Sequence, residues 1–564
     1  MQKYLFILLF VSFNLFAQVD TVYYLNHGDI IFPIRNNGIL ADAAINDSMR
    51  GMYYNNKRIL FSSGFYLSGY NNNKLWANGV ASAARNEDYL PGSYKHPELN
   101  DLATIYVVRL ADTPFGESWQ NWKNAVKLGA DFHDGDNDGV YNPIDRNGNN
   151  KWDYNEDRPD LIGNETVWCV YRDAVPGIRR RITGNPLGID IQQTVFTTVF
   201  KNVIFVRYRI ENTGIVTNLL DSVYFGTFSD PDIGDYNDDL LGCDTTLNAA
   251  FAYQNSPDKI WGKSAPTMLI SILQGPAAFI PNVTFNDLND NGIFDESDVS
   301  LSSAFEVNGF VKGTSEIKGA QNRNATSFKP YYLSHNGTSE PYVVEQYRNN
   351  MLGYLNTGEK INACDWQFGE VFNEDCNNIN GLFPYSGDPV IPQGWINTVP
   401  NDVRMMLNTG PFQLKKNEPI DIIVAFVVGY NATSSLSSLQ NAKKRLIDLS
   451  PYFYNNELDI IAIGDTTHLP PEPVYLFGLK QNFPNPFNST TQIGYAIPYS
   501  ENPQNVSIKV YNVLGQVVET LVNEVQSDGI YNIEFSSGDL PSGVYIIFLN
   551  HVGYSDTIKL MLLK

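Results

Sequence analysis

Histidine, cysteine and positive charge are all scarce in this chain. Its 564 residues include six His, four Cys and 39 Lys plus Arg against 61 Asp plus Glu, a formal net charge of -22. Such a surface has no cationic stripe from which counterion release could drive binding to a phosphate backbone, so nucleic acid is not an expected partner. The histidines, His27, His96, His133, His335, His468 and His551, include no i, i+4 pair, and no H-E-x-x-H, G-x-S-x-G or P-loop occurs. No C-x-x-C is present, which disfavours a zinc knuckle or a thioredoxin-like redox site. Beyond the N-terminus, no apolar run reaches the roughly 20 residues that span a bilayer. Charged residues are only 18%, whereas Tyr 33 and Phe 32 are plentiful, a mix that favours strands. The expected class is mostly β, with a length that allows several domains.

The N-terminus, MQKYLFILLFVSFNLFAQ, has one cation at Lys3, an apolar run from Tyr4 to Phe16 and the small Ala17. It has the form of a secretory signal peptide, residues 1–17, too short to be a membrane anchor. In an oxidising compartment the even number of cysteines suggests disulfides. Cys364 and Cys376 bracket a short loop, and pairing them leaves Cys169 with Cys243; this is one of three connectivities, and buried thiols are the alternative.

Residues 18–455 read as a β-rich cargo region of one or two subdomains. Runs such as ILFSSGFYLSGY, broken by Asn-rich turns, suggest hairpins up to about residue 130. TVFTTVFKNVIFVRYRIE (194–211) alternates bulky and polar residues, which predicts a sheet with one buried face; LLDSVYFGTF (219–228) and IDIIVAFVVGY (420–430) add strands. One helix is predicted after Ser434 or Ser435, ending before Pro451, with Leu436, Leu439, Ala442, Leu446 and Leu449 as a stripe that docks on a sheet. Pro470, Pro471 and Pro473 mark 456–474 as a linker.

Residues 475–564 break into short alternating strands separated by turns at Pro484-Asn485, Leu514-Gly515, Asp528-Gly529 and Ser542-Gly543, the pattern of a small immunoglobulin-like β-sandwich. Four landmarks stand in order: QNFPNPFN (481–488), VYNVLGQVV (510–518), LPSGVY (540–545) and KLMLLK (559–564). Together they resemble the type A C-terminal sorting domain of the type IX secretion system of Bacteroidota and their relatives. Ser489 departs from the second proline that many members carry there. The resemblance implies Sec export, reading of this domain by the type IX translocation and sorting machinery, and a secreted or outer-membrane surface-attached product.

Three cargo segments have the spacing that wraps a calcium ion, in which alternate side chains turn inward and a residue tolerant of positive φ sits at loop position 6. DGDNDGVYNPID places Asp134, Asp136 and Asp138 at positions 1, 3 and 5, Gly139 at 6, the Val140 carbonyl at 7, Asn142 at 9 and Asp145 at 12. DRNGNNKWDYNE starts at that same Asp145, with Asn147, Asn149, Asp153 and Glu156 at 3, 5, 9 and 12 and Asn150 in place of Gly. DLNDNGIFDESD supplies Asp287, Asn289, Asn291, Gly292, Ile293, Asp295 and Asp298 in the same register. The ion expected is a structural calcium; ordinary Asx-Gly turns are the competing reading. A further run, SDPDIGDYNDDLLGCD, gathers Asp230, Asp232, Asp235, Asp238, Asp239 and Asp244 out of register, as an ion site or a charged loop. His133 beside Asp134 reads as an incidental neighbour.

IGNETVWCVYRD (162–173), GIDIQQTVF (188–196), the segment 202–244 and LNTGPFQLKKNEPIDIIVAFVVGYN (407–431) are similar to large type IX-secreted surface proteins of Bacteroidota and Ignavibacteria, which implies one continuous cargo but names no catalytic residue. Two functions stay open: a calcium-stabilised binding or structural module without turnover, which the lack of a catalytic motif favours, or a secreted hydrolase of polysaccharide or protein. A glycosidase needs only two placed carboxylates, and Trp119, Trp122, Trp261 and Trp395 could stack on sugars, although core packing is the default for each.

Overall fold

The computed structural model of the chain describes residues 21–42, 50–182, 184–309, 313–332, 335, 337–454, 478–479, 482, 485–497, 504–526, 529–538, 540–551 and 554–564. The expected signal peptide (1–17) and linker (456–474) lie outside them. Strands hold 47% of the residues and helices 10%, so the mostly β expectation is borne out. Two compact units, Met1–Lys443 and Lys444–Lys564, divide the chain.

The first unit is built on two nine-stranded antiparallel sheets. Along the first run Val22–His27, Ile30–Arg35, Met52–Tyr54, Lys57–Asn71, Leu219–Pro231, Val403–Lys415 and Ala325–Tyr332, with Lys74–Ala81 branching from Lys57–Asn71 and pairing in turn with Asn86–Glu87. Along the second run Leu240–Asp244, Ala249–Tyr253, Thr267–Gln274, Ile420–Gly429, Val203–Asn212, Ile189–Thr197, Glu165–Arg172 and Leu90–Pro91, with Tyr106–Arg109 also on Glu165–Arg172. Their inner faces share one core. Phe65, Phe225 and Leu407 come from the first sheet, and Val206, Tyr208, Val424 and Phe426 from the second. Phe65 lies 5.4 Å from Tyr208 and Phe32 5.3 Å from Phe426, centroid to centroid, so the layers interdigitate as in a sandwich.

The stretch 194–211 is two strands that turn at Asn202, which holds a positive φ, and both of their faces are buried rather than one. The outer faces are covered by three helices. Trp119 and Trp122 of α1 (Glu117–Lys127) pack on Trp168 and Val170, and Tyr347 and Met351 of α2 (Val344–Met351) pack on Tyr66, Phe228 and Met406. In α3 (Ser435–Tyr454), Ala442 sits so close to Gly429 that a Cβ there would meet its amide at 2.4 Å. The Ser434 hydroxyl accepts from the Ser437 amide at 3.1 Å and caps this helix, whose Leu439, Ala442, Leu446 and Leu449 are buried. It runs three residues past Pro451, because proline so near the end removes a single amide donor. Helix α1 falls where hairpins were expected; Trp119, Trp122 and Ala125, three apart on one face, were its signal. Trp119, Trp122 and Trp395 are core residues, and Trp261 stacks with Tyr54 and lies under the Lys57 ammonium at 4.5 Å.

The second unit is a smaller sandwich. Gly478–Leu479, Thr490–Ile497 and Gly529–Ser536 form one sheet; Val517–Gln526, Gln504–Asn512, Gly543–His551 and Tyr554–Leu562 form the other. Ile493, Tyr495 and Phe535 meet Ile508, Val510, Ile547 and Leu560 between them.

Cys364 and Cys376 are joined, while Cys169 and Cys243 are buried free thiols. Their expected pairing fails for a topological reason. Five strands of the second sheet lie between Glu165–Arg172 and Leu240–Asp244. At about 4.8 Å per strand this puts the two near 29 Å apart, against the 7 Å limit of a disulfide. Burial pushes the Cys169 thiol up to about 12. The folded chain should therefore resist alkylation at Cys169 and Cys243 and take two labels once denatured without reductant. Cys364→Ser should cost about 3 kcal/mol of unfolding free energy from the lost loop constraint. Labelling of the native protein at Cys169 would contradict the packing.

Candidate functional site

The three acidic loops share one backbone design. Positions 4 and 6 have positive φ in each: Asn137 and Gly139, Gly148 and Asn150, Asp290 and Gly292. Asn therefore does at 150 what Gly does at 139 and 292. The position 1 carboxylate accepts from the amides of positions 5 and 6: Asp134 at 3.1 and 2.8 Å, Asp145 at 3.2 and 2.7 Å, Asp287 at 3.1 and 2.7 Å. Position 5 accepts from position 7, Val140 to Asp138, Lys151 to Asn149 and Ile293 to Asn291, each at 2.7 Å.

Position 12 closes the second and third loops by accepting from the amides of positions 2 and 9. Glu156 does so from Arg146 (2.7 Å) and Asp153 (3.0 Å), and Asp298 from Leu288 (2.9 Å) and Asp295 (3.0 Å). In the first loop the equivalent contacts are made by Asp157, from Gly135 at 2.9 Å and Asn142 at 2.7 Å. Asp145, placed at position 12 by register, is engaged as position 1 of the second loop. Adjacent Glu156 and Asp157, 1% and 2% exposed, thus point opposite ways and close two loops. They lead directly into Arg158–Pro159, which pairs with Phe132–His133 and brings the ends of the double loop together. Gly135 must lack a side chain, since a Cβ would meet the Glu156 amide nitrogen at 2.3 Å. The sequence signal for Asp157 was the tandem of acids after a loop whose expected last ligand was already committed.

A second shared feature went unread: position 8 is aromatic in all three. Tyr141 donates to the Trp119 carbonyl at 3.1 Å, Trp152 donates to the Glu156 carbonyl at 2.8 Å, and Phe294 packs edge-on to Phe285 at 5.3 Å. These side chains anchor exposed loops to the body of the unit.

Asp134, Asp136 and Asp138 present oxygens within 4.8 Å of one another, which fits a shell about 5 Å across. With Asp157 this loop has four carboxylates facing its centre against three in each of the others, and Arg146 pairs with Asp136. In the third loop the Asn289 and Asn291 amides donate to Asp295 at 3.0 and 2.9 Å. Hydrogen bonds from Ser297, Asn289 and Asn291 hold the Asp295 carboxyl well below the usual range, so it stays an ionised acceptor. In the second loop the Asn147 and Asn149 amides likewise donate to Asp153, at 2.6 and 2.9 Å. His133 is spent on the Tyr154 carbonyl at 2.7 Å. The run from Asp230 to Asp244 behaves as a charged segment: Asp230 meets Arg404 at 3.3 Å, Asp232 meets Arg58 at 2.9 Å, Asp244 meets Lys443 at 2.9 Å, and Asp235 pairs with Lys259.

In the C-terminal unit the four landmarks acquire physical roles. Asn485 accepts from the Met561 amide at 2.8 Å and donates to the Lys559 carbonyl at 3.1 Å, and Phe487 exchanges backbone bonds with Met561 (2.9 Å) and Leu563 (2.8 Å). The first landmark is thus clamped to the last. Asn512 accepts from Leu514 and Gln516, each at 3.0 Å, and with Gly515 at positive φ forms the turn of the second landmark. Tyr545 donates to the Pro541 carbonyl at 2.8 Å, which fixes the third as a corner.

Residues 481–563 match the family described as Secretion system C-terminal sorting domain. These residues of the C-terminal unit are thus similar to a sorting domain, which supports a type IX secretion substrate. No curated protein matches the chain. Among solved structures, a polysaccharide lyase aligns over 97% of this chain and 46% of its own length at 7% identity and a TM-score of 0.28, too low to relate the two folds.

Asn485→Ala should remove two bonds to the terminal strand and cost about 1–3 kcal/mol locally. Hydrogen exchange of the peptide 554–564 should then quicken by about tenfold or more while the first unit is unaffected; unchanged protection would show that the clamp does not hold that strand.

Proposed function

We propose that this is a bacterial surface or extracellular protein, delivered through Sec and then type IX secretion, whose first unit is a calcium-stabilised binding or structural module. Export is carried by the clamped landmarks inside the sorting domain; engagement of the secretion machinery follows from that domain. Bacteroidota or close relatives are the source this implies. Calcium is carried by a single observation: Glu156 and Asp157, both buried, each close one acidic loop. Two buried neighbouring carboxylates beside Asp134, Asp136, Asp138, Asp145 and Asp153 repel one another, and a divalent cation in each loop would relieve that repulsion. Asp134, Asp136, Asp138 and Asp157 hold the first ion with the Val140 carbonyl; Asp145, Asn147, Asn149, Asp153 and Glu156 hold the second; Asp287, Asn289, Asn291, Asp295 and Asp298 hold the third with the Ile293 carbonyl. The ion's role is structural, because the loops are tied to the body by their aromatic anchors rather than flanked by helices that could swing.

Deleting 475–564 should leave Sec export intact and strand the truncated chain in the periplasm, as fractionation would show; wild-type amounts in the medium would overturn the sorting role. With extracellular-type dissociation constants of about 0.1–1 mM and calcium about tenfold above them, each site should add roughly 1.4 kcal/mol of stability. Calorimetric titration of the full chain should therefore show sites that chelator abolishes. Asp157→Asn should remove the first site and spare the second, whereas Asp145→Asn should weaken the second. No titration heat, with the same melting in chelator, would reduce all three loops to Asx turns.

A further inference from the structure

The segment between Thr267–Gln274 and Ala325–Tyr332 leaves the sandwich and carries an unusual run of exposed apolar side chains, Phe279, Val283, Leu288, Ile293, Val299, Leu301 and Phe305. Part of this run forms one wall of an open groove of about 630 Å³ against the first sheet, within the 300–1,000 Å³ usual for ligand sites. Phe279, 45% exposed, lies nearly parallel to Phe294, with centroids 6.0 Å apart and planes 20° apart. Phe294 is itself fixed by Phe285 and by Gly319, where a Cβ would meet its ring at 2.7 Å. The inner ring of the platform is therefore held in place before any ligand arrives. The opposite wall is polar: Asp221 accepts from Gln413 at 3.0 Å. Lys318, Arg323 and Lys415 also line the groove, against the two carboxylates Asp221 and Glu418, so the site is cationic in a chain of net charge -22.

Resting on the reading of the first unit as a binding module, we infer that this groove binds an acidic oligosaccharide with carboxylated sugar rings. A sugar has an apolar ring face and a hydroxylated rim, which suits an exposed aromatic platform facing a carboxylate–amide pair. Its carboxylates suit three cations held on strands and strand ends. A neutral glycan leaves those cations unused, and a hydrophobic peptide leaves the polar wall unpaired.

The test is calorimetric titration of the full chain, in saturating calcium, with an oligogalacturonate, a neutral cello-oligosaccharide and an oligoglutamate peptide. The oligogalacturonate should bind, more weakly as salt rises, and the other two should not. Phe279→Ala and Lys318→Glu, both at exposed positions, should each weaken it roughly tenfold, about 1.4 kcal/mol, and Lys318→Glu should do so with melting and calcium titration unchanged. Absence of oligogalacturonate binding, equal affinity for the neutral oligosaccharide, preference for the peptide, or binding untouched by both substitutions would each overturn the assignment. Because neither variant touches the sorting domain, and Lys318→Glu leaves the Phe294 anchor of the third loop in place, such a failure would be separate from any failure of export or calcium binding.

Discussion

Pairing of Val203–Asn212 with Ile420–Gly429 is the constraint on which the first unit depends. The two strands sit at the centre of the second sheet, and Asp421 meets Arg207 at 2.5 Å and Arg209 at 3.1 Å across 214 and 212 residues of sequence. Ile204, Val206, Tyr208 and Ile210 from one strand and Ile422, Val424, Phe426 and Val428 from the other face the core. A slip of one residue would drive Arg207 and Arg209 into that core, at the cost of burying charge without water, so the register is strongly fixed. The chain between the two strands supplies six further strands of the sandwich and leaves it between Thr267–Gln274 and Ala325–Tyr332.

The candidate sites lie off the sheets, in excursions between strands. The third acidic loop and the groove both belong to the excursion between Thr267–Gln274 and Ala325–Tyr332, and the paired first and second loops to the one between Tyr106–Arg109 and Glu165–Arg172. Both excursions begin and end on rigid strands, which leaves their tips free of the packing demands on the sheets. Their own order comes from aromatic anchors and from carboxylates that accept backbone amides, a local economy that suits loops too small to bury a core.

Much of the fold was legible because strands announce themselves by composition. The strands at 219–228 and 420–430, the Ser434 cap and the stripe on α3 follow from side-chain periodicity, a property of neighbours in sequence. The reading of 194–211 as half-exposed failed because alternation in a strand reports chemistry, not cover. Residues such as Phe196 and Phe205 face outward and are stacked 4.9 Å apart on the helix-bearing side. The pairing of Cys169 with Cys243 failed for a related reason, since spacing in sequence holds no information on strand order.

What the sequence by itself determined is what depends on short stretches: the turns and landmarks of the sorting domain, the 1-3-5 register of the acidic loops, the short disulfide and the excess of negative charge. Tertiary structure alone decided which carboxylate closes the first loop, which faces of the sheets are buried, and that Phe279 and Phe294 meet three cations in one groove. The reason is physical. Hydrogen bonds within a turn join residues a few positions apart and leave a local pattern. Burial and long-range pairing depend on which distant segments compete for the same apolar face, and that competition is settled only when the whole chain packs.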